Sequence, residues 1–134
     1  MTTATSAAAA APQAAWKVWT GRVLSGLPVL MLLFSASMKV SHAAAFMEAW
    51  SKFGFPESTA TPIGIVEIAA AVIYAIPKTR VLGAILMTAY LGGAVVTHVR
   101  VGEPFVAPIV LGILVWAGLY LRDARVRELL PLAK

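Results

Sequence analysis

Four apolar stretches punctuated by polar clusters organise this chain, at residues 23–38, 62–76, 81–99 and 105–121. Each is continuous rather than alternating, which fits helices and not the strands of a membrane barrel. Their lengths are near or slightly below the roughly 17–25 residues of a membrane-spanning helix. Trp16, Trp19 and Arg22 can lengthen the first, because such side chains sit at the interface or snorkel to it. The second is short and carries Glu67, so its other reading is a buried helix of a soluble protein; three neighbouring spans argue against that. Pro62 suits a first helical turn. Pro77 with Lys78-Thr79-Arg80 closes the second helix tightly, and Gly102-Glu103-Pro104 makes the last turn.

Between the first two spans, Phe46, Ala49, Trp50 and Phe53 fall at i, i+3, i+4 and i+7, opposite Glu48, Ser51 and Lys52, with Gly54 as a stop. This predicts a short amphipathic helix in the membrane interface, either an anchor or a lid over one end of the bundle. A short internal repeat links Arg22-Val-Leu with Arg80-Val-Leu, and Pro62-Ile63 before Tyr74 with Pro108-Ile109 before Tyr120. It points to two hairpins of the same orientation. The expected fold is therefore all-α: an integral membrane four-helix bundle of two parallel-repeat hairpins plus the short interfacial helix. Residues 1–15 read as a disordered Ala-rich tail and 16–134 as the transmembrane domain.

Composition agrees. Of 134 residues 60% are hydrophobic and 13% charged, against about 45–50% and 25% in soluble domains, and the mean hydropathy is +0.83. The net charge of +5 does not indicate nucleic acid, because the basic residues cluster beside apolar runs, where they face anionic headgroups. With four spans, one side holds Lys17, Arg22, Lys78, Arg80, Arg122, Arg125, Arg127 and Lys134; the other holds Lys39, Lys52 and Arg100. The positive-inside rule then places both termini in the cytoplasm of a bacterial-type plasma membrane. The absence of cysteine excludes disulfides, thiol redox chemistry and cysteine-held clusters.

A carboxylate in hydrocarbon is costly, so Glu67 should face the bundle interior and have a partner. Alternating helix direction brings Lys39, at the end of the first span, and His98, at the end of the third, to its level in the outer half. Ser35, Lys39 and His42 share a helix face; so do Glu67, Ala70, Ala71 and Tyr74, and so do Tyr90, Ala94, Thr97 and His98. Two readings stay open: a ligand or proton site, or a structural pair of Glu67 with Lys39 or His98. His42 alone reads as interfacial. Two histidines suffice for bis-His haem, but both lie shallow, and no metal motif, phosphate loop or nucleophile elbow appears. Gly92-Gly93 reads as a helix-packing site, Trp116 and Tyr120 as packing or aromatic-belt residues, and Arg122 to Arg127 as a lipid-facing run.

The chain resembles the DoxX-like family of small four-helix bacterial membrane proteins. The resemblance runs from about Trp16 to Pro131 through Arg22-Val-Leu-Ser25, Lys39, Phe53-Gly-Phe-Pro56, Gly64-Ile-Val-Glu67, Tyr74-Ala-Ile-Pro77 and Leu82-Gly-Ala-Ile-Leu86. It continues in Tyr90-Leu-Gly-Gly-Ala94, Thr97-His98 and Trp116-Ala-Gly-Leu-Tyr-Leu-Arg-Asp123. It includes the first helix, so the signal-peptide look of Lys17, Arg22 and Ser41-His42-Ala43 is not read as a cleavage site. It implies the same membrane architecture, and the wider DoxX and DoxD group is linked to thiosulfate:quinone oxidoreductase and redox-stress complexes. The first expectation is thus a redox-linked membrane protein or subunit taking a quinone or other apolar substrate. Glu67 and His98 would exchange protons, Lys39 would stabilise an anionic oxygen, and Tyr74, Tyr90, Thr97 and Trp116 would border the substrate. The alternative is a non-catalytic assembly subunit or small-solute carrier, so enzymatic activity is left open. Expected partners are the bilayer, a small apolar ligand and a protein partner or second copy, with no nucleic acid and no metal.

Overall fold

Each apolar stretch becomes a helix, and the first and third run past their apolar limits at both ends. The computed structural model describes residues 12–130, so most of the Ala-rich tail lies outside the described residues. Among them the elements are α1 (Ala15–Val40), α2 (Ala44–Lys52), a 3-10 turn (Glu57–Thr59), α3 (Ala60–Ala75), α4 (Arg80–Arg100), α5 (Val106–Arg122) and α6 (Ala124–Leu129). No strand occurs among the described residues. α1 reaches back through Trp19 and Trp16, both largely exposed, with Arg22 and Lys17 over their rings at 5.2 and 5.7 Å. That pairing of basic and aromatic groups suits a membrane interface.

Inside, the helices combine small residues and a few polar ones with an apolar core; outside they are large and apolar. On α1 the buried residues are Gly21, Ser25, Pro28, Leu32, Ala36 and Lys39, spaced by three or four so that they share a face. On α3 they are Ala60, Gly64, Glu67, Ala70, Ala71 and Tyr74. Val23, Leu30, Phe34, Ile65, Val66, Val96 and Ile113 point outward, each more than half exposed. A soluble domain does not expose so continuous an apolar surface; hydrocarbon accepts it. Ala15–Val40, Glu57–Ala75 and Arg80–Arg100 are long and apolar enough to cross a membrane, while the apolar Val106–Arg122 is shorter.

α1 packs against α3 and α5, and α4 packs against the same two helices. Glycines set the crossings. A Cβ on Gly83 would overlap the backbone of Tyr74, so the α3–α4 turn end closes to backbone contact. A Cβ on Gly21 would lie 2.9 Å from the Gly118 carbonyl oxygen, which draws α1 and α5 together. Gly64 brings α3 against Lys39 and the Ala36 carbonyl of α1. Gly92 and Gly93 correct the sequence expectation, because a Cβ at either would meet nothing within 4 Å. They are not a packing site within this chain.

The basic run after α5 forms a further short helix, α6, with Val126 buried. Asp123 caps it by accepting the Arg125 backbone N–H at 3.1 Å, and Arg127 donates to the Tyr120 and Leu121 carbonyls at 2.8 and 2.9 Å. Those carbonyls at the end of α5 otherwise have no intrahelical partner. Burial opposes the Asp123 charge, but hydrogen bonds from Arg125 and the nearby Arg125 and Arg80 charges hold its carboxyl below the usual value.

Candidate functional site

Lys39 sits one residue before the end of α1, where a lysine would ordinarily snorkel to water. It does not. Its side chain is 4% exposed, and its ammonium donates to Glu67 Oε2 at 2.8 Å and to Ser35 Oγ at 2.6 Å. Glu67, 2% exposed, stands two turns into α3. Phe46 and Trp50 of α2 and Tyr90 of α4 surround the ammonium at 4.9, 5.9 and 5.9 Å. Each such ring contributes roughly 0.5–2 kcal/mol by cation–π attraction. Two of the three ammonium protons are spent on Glu67 and Ser35; the third has only ring faces around it among the described residues.

The amphipathic α2 explains the cage. Its apolar face turns onto the ends of the long helices, and Trp50 is buried rather than lipid-facing. Trp50 Nε1 donates to the Pro56 carbonyl at 3.2 Å, and its ring packs between Phe46 and Phe55 at 5.7 and 4.9 Å. α2 and the following loop thus roof this end. Beneath them lies a cavity of about 540 Å³ whose lining includes Lys39, Glu67, Tyr90, Thr97 and His98 among mostly apolar residues. That volume falls within the ~300–1,000 Å³ of small-molecule sites, which combine apolar walls with a few polar groups.

Of the other sequence candidates, His98 shares the cavity but bonds to neither Lys39 nor Glu67. Its Nδ1 lies 2.7 Å from the Ala94 carbonyl and its ring 4.9 Å from Phe53. A carbonyl only accepts, so Nδ1 carries hydrogen, and Nε2 makes no hydrogen bond among the described residues. Thr97 donates to the Gly93 carbonyl at 2.9 Å. Tyr74 is elsewhere. Fully buried near the α3–α4 turn, it donates to the Val115 carbonyl at 2.8 Å and shares a hydrogen bond with Ser25 at 2.9 Å. Arg122 lies 5.3 Å from its ring. Trp116 donates to Thr88 at 2.8 Å and borders a separate groove on α5 with Ile113 and Tyr120. His42 lies past the end of α1, between Glu57 at 3.0 Å and Thr61 at 2.8 Å. Phe46, Trp50 and Phe55 were not among the site residues expected from sequence; the signal that bears on the first two is the apolar face of α2, which follows closely after Lys39.

A family model described as the DoxX-like family matches residues 23–118. The chain belongs to the DoxX-like family. The matched span contains Lys39, Glu67, Tyr90, Thr97 and His98, so the polar cavity lies within the part of this DoxX-like protein that defines the family. With that membership and its apolar spanning helices, it is a multi-pass membrane protein. No curated protein and no solved structure matches the chain.

Proposed function

We propose that this DoxX-like protein binds an apolar ring molecule bearing polar oxygens, of the quinone class, as a redox-linked membrane protein or subunit. The observation that carries the reading is the Lys39 ammonium, which keeps one N–H uncommitted at the wall of an otherwise apolar, aromatic cavity. A quinone carbonyl accepting that proton gains a charge-assisted hydrogen bond. Negative charge grows on the oxygen during two-electron reduction, so the contact strengthens as reaction proceeds. Glu67 and His98 exchange the two protons that accompany those electrons, and Tyr90 and Thr97 border the head. The electrons come from a partner protein or from a second, reducing substrate. The direct Lys39–Glu67 pair at 2.8 Å also suits the second reading, in which the cluster is a structural joint in an assembly subunit or small-solute carrier.

The proposed membrane arrangement is a four-helix bundle. α1 with α3 and α4 with α5 form two hairpins of the same orientation, and both termini lie in the cytoplasm of a bacterial-type inner membrane. α5 spans roughly 25 Å at 1.5 Å per residue, with Arg122 at its end. Cysteine labels placed beside Lys78 and Arg127 should react from the cytoplasm, and labels beside Lys52 and Glu103 from the other side. The ligand reading is tested with a variant whose Trp16, Trp19 and Trp116 are phenylalanine, leaving Trp50 as sole fluorophore. Decylubiquinone added to this protein in lipid nanodiscs should quench Trp50 saturably, and Lys39→Met should abolish the saturable part. Linear quenching, identical in both proteins, would sink the reading.

A further inference from the structure

The cavity has a roof, a floor and open sides. Its roof is α2 and the following loop, where Trp50 and Phe55 stack on one another. Its floor lies at the level of Leu32, Ala89 and Leu111, above the end where Gly83 meets the Tyr74 backbone, and neither of those two residues lines it. Met31 of α1, 53% exposed, and the exposed Ala107 of α5 mark one open side, and the side between α3 and α4 is another. Val66, on the face of α3 turned away from α1, lines the cavity and yet is 59% exposed. Opposite it on α4, Ala89 and Gly93 also line the cavity and are also exposed. A residue that borders the cavity and the outer surface together marks an edge of an opening. A Cβ on Gly93 would meet nothing within 4 Å, so this edge is not closed by a neighbour. At the other end of the pair, Gly83 closes α4 onto the Tyr74 backbone.

From this geometry we propose that the cavity is filled sideways from the bilayer, through the window between Val66 on α3 and Ala89 and Gly93 on α4. The ligand is then a long-chained molecule dissolved in the membrane, its polar head at Lys39 and Glu67 and its tail leaving through the window into lipid. This rests on the reading of the cavity as a site for an apolar ring molecule and adds the tail and the route. The chemistry of the window agrees, for its rim is a valine, an alanine and a glycine with no polar side chain, which passes a hydrocarbon chain without desolvation cost. The water-facing end is instead shut by packed aromatic rings.

The test compares two probes by Trp50 quenching in the single-tryptophan protein: ubiquinone-0, a head group without tail, and decylubiquinone. Gly93→Phe puts a ring in the window. It should weaken decylubiquinone at equilibrium by about tenfold or more, because the tail occupies the window, and cost ubiquinone-0 far less affinity while slowing its entry, because the tailless head passes the window without remaining in it. Gly92→Phe is the control; it adds the same ring one residue away, where Gly92 is exposed and borders no cavity, and should alter neither probe. If Gly93→Phe does not fold, Ala89→Leu narrows the same window and carries the same expectation. An equal loss of equilibrium affinity for both probes, or no loss for decylubiquinone, overturns the side route while leaving the cavity reading standing. Failure of both probes to quench the parent protein saturably overturns the cavity reading, and the route with it.

Discussion

Removing one member of the Lys39–Glu67 pair should destabilise the protein far more than removing both. Lys39→Met leaves the Glu67 carboxylate, 2% exposed, without its cation, and it strips Ser35 and three aromatic rings of their shared partner. Glu67→Leu leaves a buried ammonium with only a hydroxyl and ring faces. Breaking a buried ion pair from one side typically costs ~3–5 kcal/mol, whereas replacing both members by apolar groups is often neutral or stabilising. Each single variant is therefore expected to lose about 3–5 kcal/mol, a shift of roughly two to three and a half decades in the unfolding constant. The upper end applies if the orphaned group stays charged. Lys39→Met with Glu67→Leu should return to within about 1–2 kcal/mol of the parent, giving a coupling energy of several kcal/mol. Reversible unfolding in mixed detergent micelles, followed by far-ultraviolet circular dichroism, measures all four corners of the cycle. Single losses below about 1 kcal/mol, or losses that simply add in the double variant, would refute a buried, dry pair. The double variant also separates the two functional readings. A structural joint is fully repaired by it, whereas a ligand anchor regains stability without regaining saturable quinone quenching.

Two further expectations follow from the other end of the molecule. Gly83→Leu cannot fit against the Tyr74 backbone, so it should part α3 from α4 and cost more than about 3 kcal/mol, read as lost thermal stability; a tolerated leucine would show that the crossing is not closed. Asp123 has its folded carboxyl pKa depressed, so its contribution is fully present above the ordinary value near 3.9 and is lost as pH falls through the lower folded value. Amide exchange in α6, corrected for intrinsic rates, should be flat from pH 7 to about 5 and faster only below about pH 4. Asp123→Asn should show fast exchange throughout, and greater protection on acidification would contradict the assignment.

Much of this site was legible because hydrocarbon punishes mistakes. Glu67 in an apolar run had to find a partner, and alternation of helix direction left few candidates at its depth; Lys39 was among them. Face periodicity placed Glu67, Ala70, Ala71 and Tyr74 together, and all four are buried. What periodicity does not carry is depth. Tyr74 is seven residues beyond Glu67, about 10 Å along the helix, which moves it from the cavity to the α3–α4 turn. Trp116 fails as a cavity residue for a related reason, since its position on α5 turns it toward Thr88 and the outer groove.

α2 shows a second limit. Its apolar face was readable, but whether that face meets lipid or protein depends on the Lys39 ammonium waiting beneath it, which no local pattern encodes. α6 was unreadable because a six-residue helix with one buried apolar side chain has no period to detect. Among glycines the conspicuous pair Gly92-Gly93 drew attention, yet the solitary Gly83 makes the closest approach. A glycine's importance lies in what faces it, and that is a property of the neighbouring helix.

That solitary contact has a mechanical consequence. Gly83 and Gly93 are ten residues apart, about 15 Å along α4, and the contact sits at one end of this length with the gap at the other. The two helices form tongs with their fulcrum at Gly83. A tilt of about 5° about the fulcrum displaces the Gly93 level by a little over 1 Å, through a lever arm of ~15 Å, and leaves the fulcrum itself in place. The jaws can widen or close without disturbing the hydrogen bonds that Tyr74 makes beside the fulcrum. The closest approach made by any glycine here is what leaves the open edge adjustable.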